Sequence, residues 1–178
     1  MSRTKVIYDK KQIIDIAFRI INEERVDALS ARRLAKELNV SIMTMYNYVE
    51  NIDAVKREVV LQGFNILYGS TYRTLNGLKK SCPTLDVAEY CRVMAKEMYF
   101  FASEYPGIYE LMLTYLGNTY KKDIEIQPFY RFFSQLYRRV NTKNKQALNR
   151  VFRMLEYVMN GMIGEKVSGV YDYTLEEY

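Results

Sequence analysis

The stretch from Ser30 to Val49, SARRLAKELNVSIMTMYNYV, constrains the fold of this chain more than any other. Ser30 is a favourable helix N-cap, and the apolar residues after it have the spacing of one buried helix face. Asn39 stands where that helix has to end, because asparagine adopts the left-handed conformation at little cost. Ser41 then caps a second helix that runs through Val49. The stretch therefore predicts two short helices joined by a tight corner.

The corner itself favours a helix-turn-helix. Ala35 is small enough for two helices to cross closely, and Val40 fills the space between them. A short second helix of this kind can enter the major groove of DNA. An ordinary pair of core helices has the same spacing, and the pattern favours the DNA-reading alternative over it. The exposed face of the second helix would consist of Ile42, Met43, Thr44, Tyr46, Asn47 and Tyr48.

The same residues resemble a known family. The segments Leu29–Ala35, Leu38–Ser41 and Thr44–Val49 are similar to the N-terminal domain of TetR-family transcriptional regulators. In that family the second helix typically ends in the run T-L-Y-x-[HY]-[FV], which the third segment matches with Met in place of Leu. The resemblance covers roughly residues 8 to 61, a whole DNA-binding domain.

The resemblance implies an all-α fold with two domains. A three-helix helix-turn-helix domain would occupy residues 1–53, followed by a helical effector-binding and dimerisation domain over residues 54–178. The periodicity agrees, since every long segment of the chain has helical spacing.

Three positions depart from the family pattern. Gly is typical at the position of Asn39, and a small residue or Pro at the position of Met43. Lys is common at the position of Ile52, where it opens the next helix and contacts a phosphate. A Gly is also usual in the link that residues 24–27 form here. The departure at Ile52 removes one charged contact with DNA.

The resemblance also implies a DNA-reading surface. Side chains of the second helix would contact bases and phosphates, and Arg32 of the preceding helix would contact a guanine edge or a phosphate. Backbone N–H groups at the start of the second helix would hold a phosphate. The candidate DNA-binding residues are Arg32, Ser41, Ile42, Met43, Thr44, Tyr46, Asn47 and Tyr48.

Composition excludes several classes of function. The chain has no histidine, which excludes Ser-His and Cys-His catalysis and histidine metal sites. Cys82 and Cys91 lack the spacing of a disulfide framework or a metal site, and there is no glycine-rich phosphate loop. We therefore expect no enzyme activity, cofactor or metal. No apolar run is long enough for a membrane span and residues 1–11 lack a signal-peptide core, so we expect a cytoplasmic protein without membrane contact.

The charge balance permits nucleic-acid binding without requiring it. The net charge is +5, from 26 Lys and Arg against 21 Asp and Glu. Residues 1–50 carry nine of the basic and seven of the acidic side chains. DNA binding is therefore inferred from the helix pattern, not from charge.

The rest of the chain predicts the helices of a body. Asn51 is the expected N-cap of a helix with Asp53 in its first turn, extending to Leu75. Gly63 is expected to mark a kink or the change between domains, and residues 76–83 to form a loop. Further helices are expected after Thr84, at Pro106, from Ile124 and after Thr142.

Family resemblance implies a homodimer. In TetR-like proteins the last two long helices pair with their copies in a four-helix interface. Two reading helices one DNA turn apart strengthen a weak single contact, which favours a dimer over the alternative that these helices complete a monomer core. The residues placed in the interface are Phe129, Phe133, Leu136, Val151, Leu155, Val158 and Met162.

The resemblance further implies a pocket in the body for a small apolar or aromatic effector. Tyr supplies flat apolar area with a hydroxyl group, and Met adapts to varied shapes. A chain with 17 Tyr and no Trp also builds its core from Tyr, which is the more frequent role of each such residue. The candidate pocket residues are Tyr68, Tyr72, Tyr90, Met94, Met98, Tyr99, Tyr109 and Met112.

These features lead to one main hypothesis and two alternatives. The main hypothesis is a homodimeric TetR-like sequence-specific DNA-binding transcriptional regulator, a repressor released from double-stranded operator DNA by a small-molecule effector. The first alternative is a TetR-fold interaction module or coregulator that acts mainly through a protein partner, as Ile52 and the weak local charge suggest. The second alternative is an enzyme, which the missing catalytic groups disfavour.

Overall fold

A computed structural model describes residues 9–81, 87–118 and 145–170, and the regular secondary structure in these ranges is helical. The predicted all-α class is confirmed. None of the described helices combines the length and hydropathy that crossing a bilayer requires. The elements are α1 (Lys10–Glu24), a 3₁₀ turn (Val26–Ala28), α2 (Ala31–Glu37), α3 (Ile42–Met45), α4 (Ile52–Ser81), α5 (Val87–Glu104), α6 (Pro106–Asn118) and α7 (Lys145–Val167).

Helix α1 begins with a capping box. The Asp9 carboxylate accepts a hydrogen bond from the Gln12 backbone N–H at 2.8 Å, and the Gln12 side chain accepts one from the Asp9 N–H at 3.3 Å. The apolar face of α1 packs against α2, α4 and α6. It consists of Ile13, Ile14, Ala17, Phe18, Ile20 and Ile21.

Helix α4 is longer than the sequence predicts. It continues through residues 76–81, so the loop prediction is wrong there. Leu75 is 1% exposed and packs with Tyr90 and Val93 of α5. This burial compensates for the weak helix propensity of the Asn76-Gly77 pair.

Gly63 is a contact point between helices instead of a kink. Helix α4 is one helix through this position. A Cβ atom on Gly63 would lie 2.7 Å from Sδ of Met112 and 2.8 Å from Cγ2 of Ile108, both on α6. The glycine therefore allows α4 and α6 to approach closely.

The apolar core is continuous from the helix-turn-helix into the body. Met45 of α3 belongs to the same cluster of buried side chains as Val59 of α4, Ile108 of α6 and Ile163 of α7. Helix α4 also crosses the domain boundary proposed after residue 53. The described ranges do not include Cys82, the first residues of the helix expected after Thr84, or the helix expected from Ile124.

Candidate nucleic-acid interface

The corner between α2 and α3 has the geometry that the sequence predicts. The Ser30 hydroxyl caps α2 by accepting a hydrogen bond from the Arg33 backbone N–H at 3.2 Å. Asn39 has φ of 55°, which confirms its left-handed conformation. The Val40 N–H donates to the Ala35 carbonyl at 3.0 Å and the Asn39 N–H donates to the Lys36 carbonyl at 3.1 Å. This pair of bonds is a Schellman motif, which ends α2 and redirects the chain.

Helix α3 starts where predicted but is shorter. The Ser41 Oγ accepts a hydrogen bond from the Thr44 N–H at 3.0 Å and shares another, at 2.8 Å, with the Thr44 hydroxyl. The helix ends at Met45, not at Val49. After it, the Tyr48 N–H donates to the Met45 carbonyl at 3.0 Å, a bond that spans three residues. The α-helix therefore tightens into turns, as helix ends commonly do.

The α3 segment, residues 41–49, is anchored by two buried side chains and exposes most of the others. Met45 and Val49 are buried in the core. Met43 is 80% exposed and Tyr46 40% exposed. Thr44 is half-buried, and the remaining members of the predicted reading face are exposed, namely Ser41, Ile42, Asn47 and Tyr48.

Two adjacent arginines of α2 have different surroundings. The Arg33 guanidinium forms ion pairs with Glu24 at 2.8 Å and Glu37 at 3.2 Å. Glu37 also pairs with Arg19 at 2.9 Å. Arg32 is exposed and forms no ion pair with a described residue. The structure therefore leaves Arg32, and not Arg33, available to an anionic partner.

Lys36 is a further basic residue of α2 that is not among the predicted DNA-binding residues. It lies one helical turn after Arg32 in α2 and is exposed. Residues four apart share a helix face, so the two cations lie on one side of α2. The i, i+4 spacing in the sequence was the signal that could have identified it. A two-cation face of this kind suits the phosphate backbone.

The start of α4 differs from a phosphate-binding helix start. Ile52 is half-buried and packs against the apolar core. The Asn51 side chain caps the helix by accepting a hydrogen bond from the Ala54 N–H at 2.7 Å, as predicted. Asp53 lies in the first turn, where Lys56 pairs with it at 3.4 Å. The side chain at position 52 thus contributes to packing.

The residues proposed for an effector pocket lie in several different environments. Tyr90 and Met112 are buried in the core, and burial, with a smaller effect of the neighbouring Cys91, raises the pKa of Tyr90. Tyr72 is exposed and stacks on Tyr68 with a centroid distance of 6.1 Å. Met94, Met98 and Tyr99 are half-buried. A cavity of about 290 Å³ lies elsewhere, between the end of α1, α6 and α7, and shares only Tyr109 with this set.

Helix α7 carries an exposed apolar stripe. Met154, Tyr157 and Val158 are 66%, 72% and 56% exposed, and their spacing places them on one helix face. Val158 is one of the predicted interface residues, and the other two are not. Met162 is half-buried, and Val151 and Leu155 lie in the helix. Phe129, Phe133 and Leu136 lie outside the described residues.

Comparison with known proteins supports the same class of function. The chain is 28% identical over 104 residues to the uncharacterized HTH-type transcriptional regulator YobS of Bacillus subtilis (strain 168). The match covers 58% of this chain and 51% of that protein, so the chain spans about half the length of the relative it matches. No protein-family model matches the chain. The similarity and the helix-turn-helix geometry together support a DNA-binding transcription regulator.

Proposed function

We propose that this chain is a TetR-like, sequence-specific DNA-binding transcriptional regulator that acts in the cytoplasm. The observation that carries the proposal is the α3 segment, which follows a capped helix-turn-helix corner. Burial of Met45 and Val49 fixes the segment on the core, so its exposed side chains can enter a major groove without rearrangement. The likeness to an HTH-type regulator supports the same class.

Helix α2 would bind the phosphate backbone and thereby position the α3 segment on DNA. Arg32 and Lys36 lie on one face and are free of ion pairs within the described residues. Cations of this kind contribute affinity that depends on salt, while base contacts contribute sequence preference. Tyr46, Asn47 and Tyr48 are three exposed side chains of the segment that can donate or accept hydrogen bonds at base edges or phosphates.

The proposed regulator is a homodimer. The apolar stripe of α7, formed by Met154, Tyr157 and Val158, is more exposed than a monomer in water requires. Pairing of this stripe with its copy around a two-fold axis would bury it in a self-complementary interface. The same axis would place two α3 segments on successive turns of one DNA face.

The proposed regulatory mode is repression relieved by a small effector. The core that α3 shares with the body would transmit a shift of α4 or α6 to the α3 segment. An effector releases DNA only to the extent that it binds the non-binding conformation more tightly.

A specific observation favours a second candidate function. The exposed side chains of the α3 segment include the apolar Ile42 and Met43, and Met43 is 80% exposed. Exposed apolar groups are typical of protein-binding surfaces. The second candidate is therefore an interaction module or coregulator whose α3 segment binds a protein partner.

Selection of bound fragments from sheared genomic DNA, followed by a salt series on the enriched fragments, tests the proposal. A DNA regulator enriches a short common sequence and loses affinity steeply as salt rises. Absence of enrichment at low salt would contradict the proposal and favour the protein partner.

A further inference from the structure

Arg25 connects the DNA-binding part to two helices of the body. It has φ of 73°, a left-handed value that is uncommon for a residue with a side chain, at the junction of α1 and the 3₁₀ turn. One terminal nitrogen of its guanidinium pairs with Glu110 of α6 at 3.3 Å. The other donates a hydrogen bond to the carbonyl of Val167, the last residue of α7, at 3.0 Å.

Arg25 is one of the residues that line the cavity of about 290 Å³ between the end of α1, α6 and α7. Leu113, Val167 and the Tyr109 ring contribute apolar lining. The Tyr109 hydroxyl donates to Asn160 at 2.8 Å, and Ser168, which also lines the cavity, donates to the Gly164 carbonyl at 2.8 Å. Glu110 also lines the cavity, which thus combines the Arg25–Glu110 ion pair with a partly apolar wall.

We propose that this cavity binds a small organic carboxylate. A guanidinium has five N–H donors, and the two contacts above leave the others without an acceptor among the described residues. Its planar fork matches a carboxylate, which can accept two parallel hydrogen bonds from it. The cavity volume is close to the lower end of the range typical of small-molecule sites, so the ligand has a short apolar body.

Glu110 is the internal competitor that the ligand replaces. The Glu110 carboxylate shows that the guanidinium binds an anion on this side. The Glu110 side chain is nevertheless 53% exposed, and the contact of 3.3 Å is long. Exposed ion pairs of this type contribute little to stability, so their exchange for a ligand costs little. The bond to Val167 holds the guanidinium in place meanwhile, at a helix C-terminus where a cation is favourable.

The site lies where a ligand would affect the reading segment. Arg25 directly follows α1, whereas Leu113 and Val167 belong to α6 and α7 of the body. A ligand that contacts Arg25, α6 and α7 stabilises the arrangement of the DNA-binding part and the body in which the cavity is present. This regulatory consequence depends on the proposed function, whereas ligand binding itself does not.

Calorimetric titration of the full chain without DNA tests the site. The probes are acetate, benzoate and hexanoate, each compared with its neutral amide. We expect at least one carboxylate to bind at least about tenfold more tightly than its amide, since a hydrogen bond to a charged group has about that effect. Glu110→Gln removes the competitor and should tighten carboxylate binding several-fold.

Arg25→Gly removes the guanidinium and should lower affinity about tenfold or more. Glycine adopts the φ of 73° without strain, so this variant is expected to fold, which circular dichroism verifies. The proposal is overturned if no carboxylate binds more tightly than its amide, or if binding is the same in Arg25→Gly as in the unaltered chain. Because DNA is absent from the titration, failure here leaves the proposed DNA-binding function untouched.

Discussion

At the scale of single residues, neighbours in the sequence differ in function because of contacts that are distant in the chain. Arg32 and Arg33 are identical in type, but Glu24 and Glu37 neutralise only Arg33. The sequence predicted Arg32 as a DNA contact through the family resemblance. It could not show that Arg33 is occupied, since Glu24 lies beyond the 3₁₀ turn and pairs with it only after folding.

Arg32 and Lys36, the two exposed cations of α2, are expected to contact phosphates. Replacing Arg32 or Lys36 by Gln should weaken binding to all DNA sequences alike and reduce the slope of log affinity against log salt by about 1 for each residue. Fluorescence anisotropy over a salt series measures the slope. Lys96→Gln is the control, because Lys96 is an exposed lysine on α5. An unchanged slope in both α2 variants would remove α2 from the interface.

Tyr46 is expected to contact DNA directly. Tyr46→Ala should lower operator affinity by about 1–3 kcal/mol, the range for a side chain at base edges, while helical content stays the same. Tyr72→Ala is a matched control, since Tyr72 has similar exposure (48%) and lies on α4. Equal affinity of the Tyr46 and Tyr72 variants would show that Tyr46 lies outside the reading face.

Asn39 is expected to be replaceable by Gly but not by a β-branched residue. At φ of 55°, Asn39→Gly should leave the free energy of unfolding nearly unchanged, while Asn39→Val should lower it by about 1–2 kcal/mol because a side chain branched at Cβ crowds the backbone in this conformation. Urea unfolding gives both values. A Val variant as stable as the Gly variant would contradict the left-handed corner.

At the scale of secondary-structure elements, local sequence predicted helix starts better than helix ends. The N-caps at Ser30, Ser41 and Asn51 all form, because a cap depends on residues within one turn. The end of α4 depends on burial of Leu75 against α5, which no local pattern reveals. The early end of α3 similarly follows from the turns after Met45.

Gly107 is expected to be essential to the packing of α6 on α1. A Cβ atom at this position would lie 2.0 Å from the Ile21 carbonyl oxygen, which is backbone and cannot move aside. Gly107→Ala should therefore lower the free energy of unfolding by about 2 kcal/mol or more. Gly77→Ala is the control, since Gly77 lies in α4 with open space around it and should stabilise by about 0.5–1 kcal/mol. Equal stability of both variants would contradict the close contact of α6 with α1.

At the scale of the whole molecule, the continuous core joins the α3 segment to helices of the body, and the exposed stripe of α7 is the candidate surface for a second copy. The family resemblance indicated a dimer through the last two helices. The sequence did not show that Met154 and Tyr157 are exposed, because an apolar residue at helical spacing has the same pattern in a core as at an interface.

The α7 stripe is expected to mediate dimerisation. Tyr157→Glu should shift the equilibrium towards monomer, since it places a charge in a buried apolar contact, and operator affinity should fall with it. Sedimentation equilibrium measures the effect. Phe100→Glu is the control on α5, where Phe100 is 53% exposed. A dimer of unchanged affinity, or a loss of dimer in both variants, would contradict the assignment of the interface.

The most direct test of the central claim is a footprint of the purified chain on the DNA fragments that it enriches, repeated over a salt series. The proposed function predicts a protected pseudo-palindrome whose half-sites lie one DNA turn apart, with protection lost steeply as salt rises and lost in Tyr46→Ala. Uniform weak protection without a preferred sequence, or no protection at low salt, would contradict sequence-specific DNA binding by the α3 segment.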